Sequence, residues 1–409
     1  MIILARMVTL GGAMFASASY TAASFIASLV SVVIITAGIP TPERAGLFLF
    51  IALYSPLTTV MSQRKLLSIY RNRASSSRGA AIEEAVLFVM AAAIVIVATR
   101  HYYEPFEAAA LASTVFCQIH SATAAGSIQH RTSNALGWSV AVLATAVVRI
   151  FATWLGLDYG PVIAFVAGSY AYFLAMLALQ ALMRCKTAKI SAERGGAVTA
   201  DSLVEEAWQE RLATFAFFSV GAMTFQIDKF ALDGAGDAAA VAQSGALTML
   251  LLSPISLLFA TLYRTRTKTL FSTELPLHAK MPVVGTIAAQ FSTAAALYVA
   301  ILLAPWPGIA ALTFPFMQAP VAAFLVFALA IIMDRLGTLL AFAAGDWRSY
   351  LTIAVFKAAA LVLVYAAIRF WMGFQTLTIV YLAYFAAGLA YLLLVALLIM
   401  WFKGRYAEV

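Results

Sequence analysis

Charge is what this sequence has least of. Only 11% of its 409 residues are charged, against about 25% in an ordinary soluble domain. A chain so poor in charge cannot clothe a water-soluble globule, which excludes soluble enzymes and soluble binding modules. Cysteine is almost missing as well: Cys117 and Cys185 are the two present, one inside an apolar run and one at the end of another, where they cannot plausibly pair. A disulfide framework is therefore excluded. So is a metal site, because the four histidines (His101, His120, His130 and His278) are scattered with no ligand spacing. There is no Gly-rich phosphate loop and no polar stretch long enough for a nucleotide-binding domain, which argues against ATP-driven work by this chain alone. The period-2 alternation of a membrane barrel is missing too. No short apolar core with a cleavage site opens the chain, so the first apolar run reads as a retained helix.

What is there is oil in long runs. Hydrophobic residues make up 63% of the chain and the mean hydropathy is +0.93. A bilayer core about 30 Å thick takes roughly 20 apolar residues per helical crossing. Runs of that length predict spans at 9–36, 44–63, 80–99, 105–128, 135–155, 161–183, 209–232, 238–262, 283–304, 317–343, 349–370 and 376–402. The fold class is thus an all-α polytopic membrane protein of about twelve transmembrane helices.

The 26 basic residues orient it. Counted from a cytoplasmic start, nineteen fall in inner loops and termini and only Arg44 and Arg100 in outer loops, a strong positive-inside bias. Both termini are expected in the cytoplasm of a bacterial inner membrane. The formal charge of +8 is explained by this bias and by contact with anionic lipids, so nucleic acid is not an expected partner. All seven Trp lie at or near predicted span ends, as interfacial anchors do.

The polar stretch from Arg184 to Arg211 divides the spans six and six. It predicts an N-terminal bundle 1–183, a linker 184–208 and a C-terminal bundle 209–409. A capping box from Ser202 to Glu205 is placed to open the helix leading to Trp208. The halves resemble each other. GLFLFIALYSPLTTV from Gly46 parallels GALTMLLLSPISLLF from Gly245, and AAGSIQHRTSNALGW from Ala124 parallels AAGDWRSYLTIAVFK from Ala343, a register that also matches Tyr172 with Tyr391. An even number of spans per half makes the repeat parallel, the plan of carriers in which two bundles rock about a central cavity.

Charges inside spans are the sharpest local signals, since each costs roughly 2.5 to 3.5 kcal/mol at mid-bilayer unless it meets a cavity or a partner. Five basic residues lie there, Arg149, Lys229, Arg335, Lys357 and Arg369, with two acids, Asp228 and Asp334. Adjacent helical residues point about 100° apart. Neither Asp228–Lys229 nor Asp334–Arg335 is therefore expected to pair internally. Arg149, Arg335, Lys357 and Lys229 are candidate cations for an anionic substrate, and Asp228 and Asp334 are candidates for coupling to a proton or sodium. The alternative for each is an interhelical ion pair. His120 is either a proton relay or a hydrogen-bonding partner between helices, and Arg369 reads as a residue that snorkels to the interface.

The stretch FQIDKFALDGAGDAAAVAQSGALTMLLLSPI, residues 225–255, resembles the seventh and eighth helices of the polysaccharide-exporter branch of the MATE-like multidrug/oligosaccharidyl-lipid/polysaccharide exporter superfamily. Asp228, Lys229, Gly234, Gly236, Gly245 and Pro254 stand in that pattern. The resemblance implies a flippase that carries an undecaprenyl-pyrophosphate-linked oligosaccharide between leaflets by alternating access. It also implies a cationic cavity, no cofactor beyond a coupling proton or sodium ion, and a glycan polymerase or glycosyltransferases as pathway partners. In related flippases a cation site involves the seventh, eleventh and twelfth helices. The last two offer no carboxylate here and carry Lys357 instead, which puts sodium coupling in doubt. The alternatives are a drug antiporter of the same fold and, with little support from such short outer loops, a membrane glycosyltransferase or polymerase. A major-facilitator carrier is disfavoured because SQRKLLSIYRNR lacks the Gly and Asp of its usual loop.

Overall fold

Lipid offers a backbone no partners, so each apolar run must close its hydrogen bonds within itself and coils into helix. The computed structural model describes residues 27, 30–35, 39–53, 73–74, 85–86, 88–89, 92–97, 99–131, 135–194, 204–205, 208–264, 266–272, 275–303, 321–345, 347–371 and 377–406. Most of the first three predicted spans lies outside these residues.

The described helices are, in order, α1 (41–53), α2 (Pro105–Arg131), α3 (Ala135–Gly156), α4 (Pro161–Arg194), α5 (Trp208–Met223) and α6 (Ile227–Gly234). They continue with α7 (Ala238–Leu247), α8 (Ser253–Arg264), α9 (Leu277–Leu303), α10 (Val321–Ala344), α11 (Trp347–Ala366) and α12 (Leu377–Tyr406). A π-helical segment, Thr248–Leu252, joins α7 to α8, and another, Ala367–Trp371, extends α11. The strand pairing described is a two-residue parallel contact of β1 (Arg73–Ala74) with β2 (Val204–Glu205). Glu205 is thereby in extended chain and α5 starts at Trp208, so the capping box does not open that helix; Ser202 lies outside the described residues.

Among the described residues six helices are long and apolar enough to cross a bilayer, lying in α4, α7–α8, α9, α10, α11 and α12. The protein is a multi-pass membrane protein. On α11 Val355, Val362 and Leu363 are among the exposed side chains, at 61%, 66% and 70% exposure, while Tyr350, Lys357 and Val364 are buried. Oil outward and a charge inward is the reverse of a soluble helix. α9 starts six residues before its predicted span, with Pro282 inside the helix. Lys280 is therefore not a loop residue. Its ammonium is buried and donates to the Ala343 carbonyl at 3.1 Å, closing the C-terminal end of α10 just before Gly345, whose φ of +72° turns the chain.

The chain divides into two compact units, Met1–Glu43 with Leu53–Ala207 and Arg44–Ala52 with Trp208–Val409. In the first, α4 packs on α2 and α3. A Cβ at Gly156 would sit 2.6 Å from the Ala164 Cα, so the turn between α3 and α4 closes only without a side chain there. In the second, α12 lies along α10 and α11 lies against α5. A Cβ at Gly337 of α10 would stand 2.6 Å from the Tyr391 ring, and one at Gly388 of α12 would stand 3.2 Å from the Ala330 carbonyl oxygen, the small-residue contact that lets membrane helices approach closely. Phe217, Tyr350, Phe342, Tyr263 and Phe271 build the aromatic core of this unit, with Phe217 stacked on Tyr350 at 4.9 Å. Phe48 of α1 belongs here too, its ring filling the space beside Gly245.

Candidate functional site

The seventh predicted span is not one helix. It breaks between α5 and α6 at Thr224, Phe225 and Gln226, a turn with neither Pro nor Gly to announce it. The Thr224 hydroxyl takes the Val220 carbonyl at 2.9 Å. The Gln226 and Lys229 amides then bond three residues back, to Met223 at 3.0 Å and to Gln226 at 3.2 Å. That tightening releases the Phe225 carbonyl, which in a regular helix would accept the Lys229 amide.

Asp228 and Lys229 stand in the first turn of α6, their side chains 0% and 2% exposed. The Tyr384 hydroxyl of α12 accepts the Asp228 amide at 2.9 Å and donates to Asp228 Oδ1 at 3.1 Å. Ser244 of α7 donates to Asp228 Oδ2. Lys229 Nζ donates to the released Phe225 carbonyl at 3.1 Å, to Thr248 Oγ1 at 2.8 Å and to Asp228 Oδ1 at 3.5 Å. Thr248 opens the π-helical segment, so each of the two facing helices is irregular where it meets this cluster.

A second cluster joins α8, α10, α11 and α12. Asp334 is 1% exposed and holds two cations: Lys357 Nζ at 2.5 Å from Oδ1 and an Arg335 Nη at 3.2 Å from Oδ2. Arg335 also donates to Ser256 Oγ from Nε at 3.2 Å and from its other terminal nitrogen at 2.9 Å. Lys357 Nζ lies 4.3 Å above the Tyr391 ring, and Gly221 of α5 leaves room beside it, a Cβ there standing 3.9 Å from Nζ. At 17% exposure the Arg335 side chain is the most accessible of the three charges.

Tyr384 and Tyr391, one from each cluster, are seven residues apart on α12, which stacks the clusters along one face about 10 Å apart. Beside Tyr384 of the first cluster, Phe225, Phe327 and Tyr381 form an aromatic wall, with Phe225–Phe327 at 5.7 Å and Phe327–Tyr381 at 4.3 Å.

The structure thus brings Asp228 and Lys229 together, and Asp334, Arg335 and Lys357 together, within the C-terminal unit. It corrects the expectation that the doublets cannot pair internally. The 100° step separates the Cβ atoms, yet lysine and arginine arms are long enough to curl back across it. Arg149 and His120 belong to the N-terminal unit. Arg149 is 6% exposed and its guanidinium lies 5.5 Å over the Tyr172 ring; on the same helix Thr153 Oγ1 donates to its carbonyl at 2.9 Å. His120 sits in an aromatic nest, 4.2 Å from Phe116 and 6.3 Å from Phe173. Arg369 is exposed, as a snorkelling residue is. Ser244, Thr248, Ser256, Tyr384 and Tyr391 are partners that sequence reasoning missed, although the seven-residue tyrosine spacing was a readable signal. Among the described residues no group of three or more metal-binding side chains occurs.

No protein-family model matches this sequence, and no curated protein matches it significantly. Solved structures do match. A crystal structure of a single-site mutant of a MATE protein superposes with a TM-score of 0.60 at 14% identity, covering 98% of this chain and 96% of that one. The outward-facing form of a multidrug resistance MATE family transporter of the MOP superfamily gives 0.57 at 15% identity, covering 98% and 96%. The fold is that of the MATE transporters. A MATE structure in the straight conformation agrees, at 0.55 and 14% identity with 98% and 95% covered. The all-helical layout of about twelve spans expected from the sequence matches this fold.

Proposed function

We propose that the chain is a secondary transporter working by alternating access, and that its cargo is an anionic lipid-linked oligosaccharide moved across a bacterial inner membrane. One observation carries the choice of cargo. The acids of the two buried clusters are already matched by cations of the same unit, Asp228 by Lys229 and Asp334 by Lys357 and Arg335. The second cluster therefore carries a surplus positive charge, and Arg149 is a further buried cation in the N-terminal unit. A carrier of organic cations needs an acid to offer its cargo, whereas a pyrophosphate needs a guanidinium fork. Arg335 is the best placed, because it is the most exposed charge of its cluster. The coupling ion, if any, would act through Asp228, Asp334 or His120, and the glycosyltransferases and polymerase of the same pathway would be the partners.

The resemblance of residues 225–255 supports the same reading. The opposing one, a drug antiporter, draws on a structural neighbour that is a multidrug resistance transporter. Expression in a host deleted for its own flippase separates the two. Wild-type chain is expected to restore surface glycan and to leave ethidium efflux unchanged. Arg335→Ala and Arg149→Ala are each expected to cut glycan export roughly tenfold, the worth of about 1.4 kcal/mol of lost anion contact. Ethidium efflux without glycan export reverses the assignment.

A further inference from the structure

The surroundings of Lys229 Nζ are those a small monovalent cation would choose. Around it stand a backbone carbonyl freed by the helix break (Phe225, 3.1 Å), a hydroxyl (Thr248, 2.8 Å) and a carboxylate oxygen (Asp228, 3.5 Å). The carboxylate is itself held by Ser244 and Tyr384. Unwound carbonyls and a carboxylate at a broken membrane helix form a hard-oxygen shell of the type that sodium occupies. The Gln226 side-chain oxygen, buried in the same turn, accepts no hydrogen bond among the described residues. Nothing about an ordinary ion pair requires the freed carbonyl: Lys229 and Asp228 could neutralise each other on an unbroken helix.

We propose that this shell is a sodium-type cation seat which the Lys229 ammonium fills as a tethered cation, so that wild-type protein binds no sodium at Asp228 and removal of the lysine side chain opens a sodium site. The consequence for transport, that any coupling here runs without sodium, rests on the transporter reading above; the seat itself does not.

The test therefore reads binding and leaves transport aside. Full-length protein purified in detergent is melted in sodium chloride and in choline chloride of equal ionic strength, with equilibrium binding of radioactive sodium alongside. The wild type is expected to melt at one temperature in both salts and to show no saturable sodium binding. Lys229→Ala is expected to bind sodium saturably and to melt about 3 °C or more higher in sodium than in choline, a difference that Asp228→Asn in the same background removes. Lys229→Ser serves as the second variant. Saturable sodium binding by the wild type that Asp228→Asn abolishes overturns the proposal, and so does a folded Lys229→Ala indifferent to sodium. Failure of both lysine variants to fold in saturating sodium overturns it too, since a seat that sodium can fill is one that sodium rescues. Loss of glycan export with sodium binding as expected would instead count against the transporter reading alone.

Discussion

Asp334 is the residue on which both cations of the second cluster depend. Its carboxylate faces Lys357 and Arg335 at once, and neither cation has water enough to stand alone in that setting. Replacing it with Asn leaves two positive charges side by side. Breaking a buried pair from one side costs about 3–5 kcal/mol, so Asp334→Asn is expected to lower the unfolding free energy in detergent by that much. Lys357→Met in the same background is expected to recover part of the loss, because it deletes one of the orphaned charges and leaves an apolar chain on the Tyr391 ring. A double mutant no better than Asp334→Asn would show that Lys357 does not depend on this carboxylate. The sequence names all three residues, because a charge in an apolar run is conspicuous wherever it falls. It does not name their hydroxyl partners. Tyr384 is 156 positions from Asp228 and Ser256 is 79 from Arg335. Which tyrosine or serine meets which charge is decided by helix register and crossing, which apolar periodicity in a membrane leaves almost unspecified.

At the level of elements, the clusters depend on how closely α10 and α12 approach. The Tyr391 ring lies against Gly337 and also carries the Lys357 ammonium 4.3 Å from its centroid, so a methyl group at 337 has to displace a ring that the cation rests on. Gly337→Ala is expected to destabilise by about 1–3 kcal/mol, the usual cost of overpacking. Gly285 of α9 has open space where its Cβ would be, and Gly285→Ala is expected to be neutral or slightly stabilising by helix propensity. Equal melting temperatures for the two variants would mean that the α10–α12 contact is loose. Hydropathy located these elements well, because length and oiliness are what a bilayer selects. It missed the break at Thr224–Gln226, where no Pro or Gly marks the interruption, and it opened the ninth span at residue 283 where the helix already begins at Leu277. Such irregularities come from tertiary partners: a hydroxyl taking a carbonyl, or a distant tyrosine capping an amide.

For the whole molecule, the two halves share more than their order of spans. The tyrosines that the repeat matches, Tyr172 and Tyr391, each lie beneath a cation, Arg149 at 5.5 Å in one unit and Lys357 at 4.3 Å in the other. The cations come from the helices preceding those tyrosines, α3 and α11. A parallel repeat needs an even number of crossings per half, so the turns at Gly160 and Gly236, which follow the fifth and seventh predicted spans, should share the outer face. The turn at Gly345, after the tenth, should face the cytoplasm with both termini. The scarcity of cysteine makes this directly measurable. With Cys117 and Cys185 replaced by Ala, a single cysteine at Tyr159 or Asp237 is expected to react with a membrane-impermeant maleimide in intact cells, and one at Arg348 only after the membrane is opened. Labelling of Tyr159→Cys and Asp237→Cys from opposite sides would mean that the chain between them crosses an odd number of times and not twice, by the sixth and seventh predicted spans. It would replace the parallel repeat with an inverted one, and the like placement of the two tyrosine-borne cations would then need another origin.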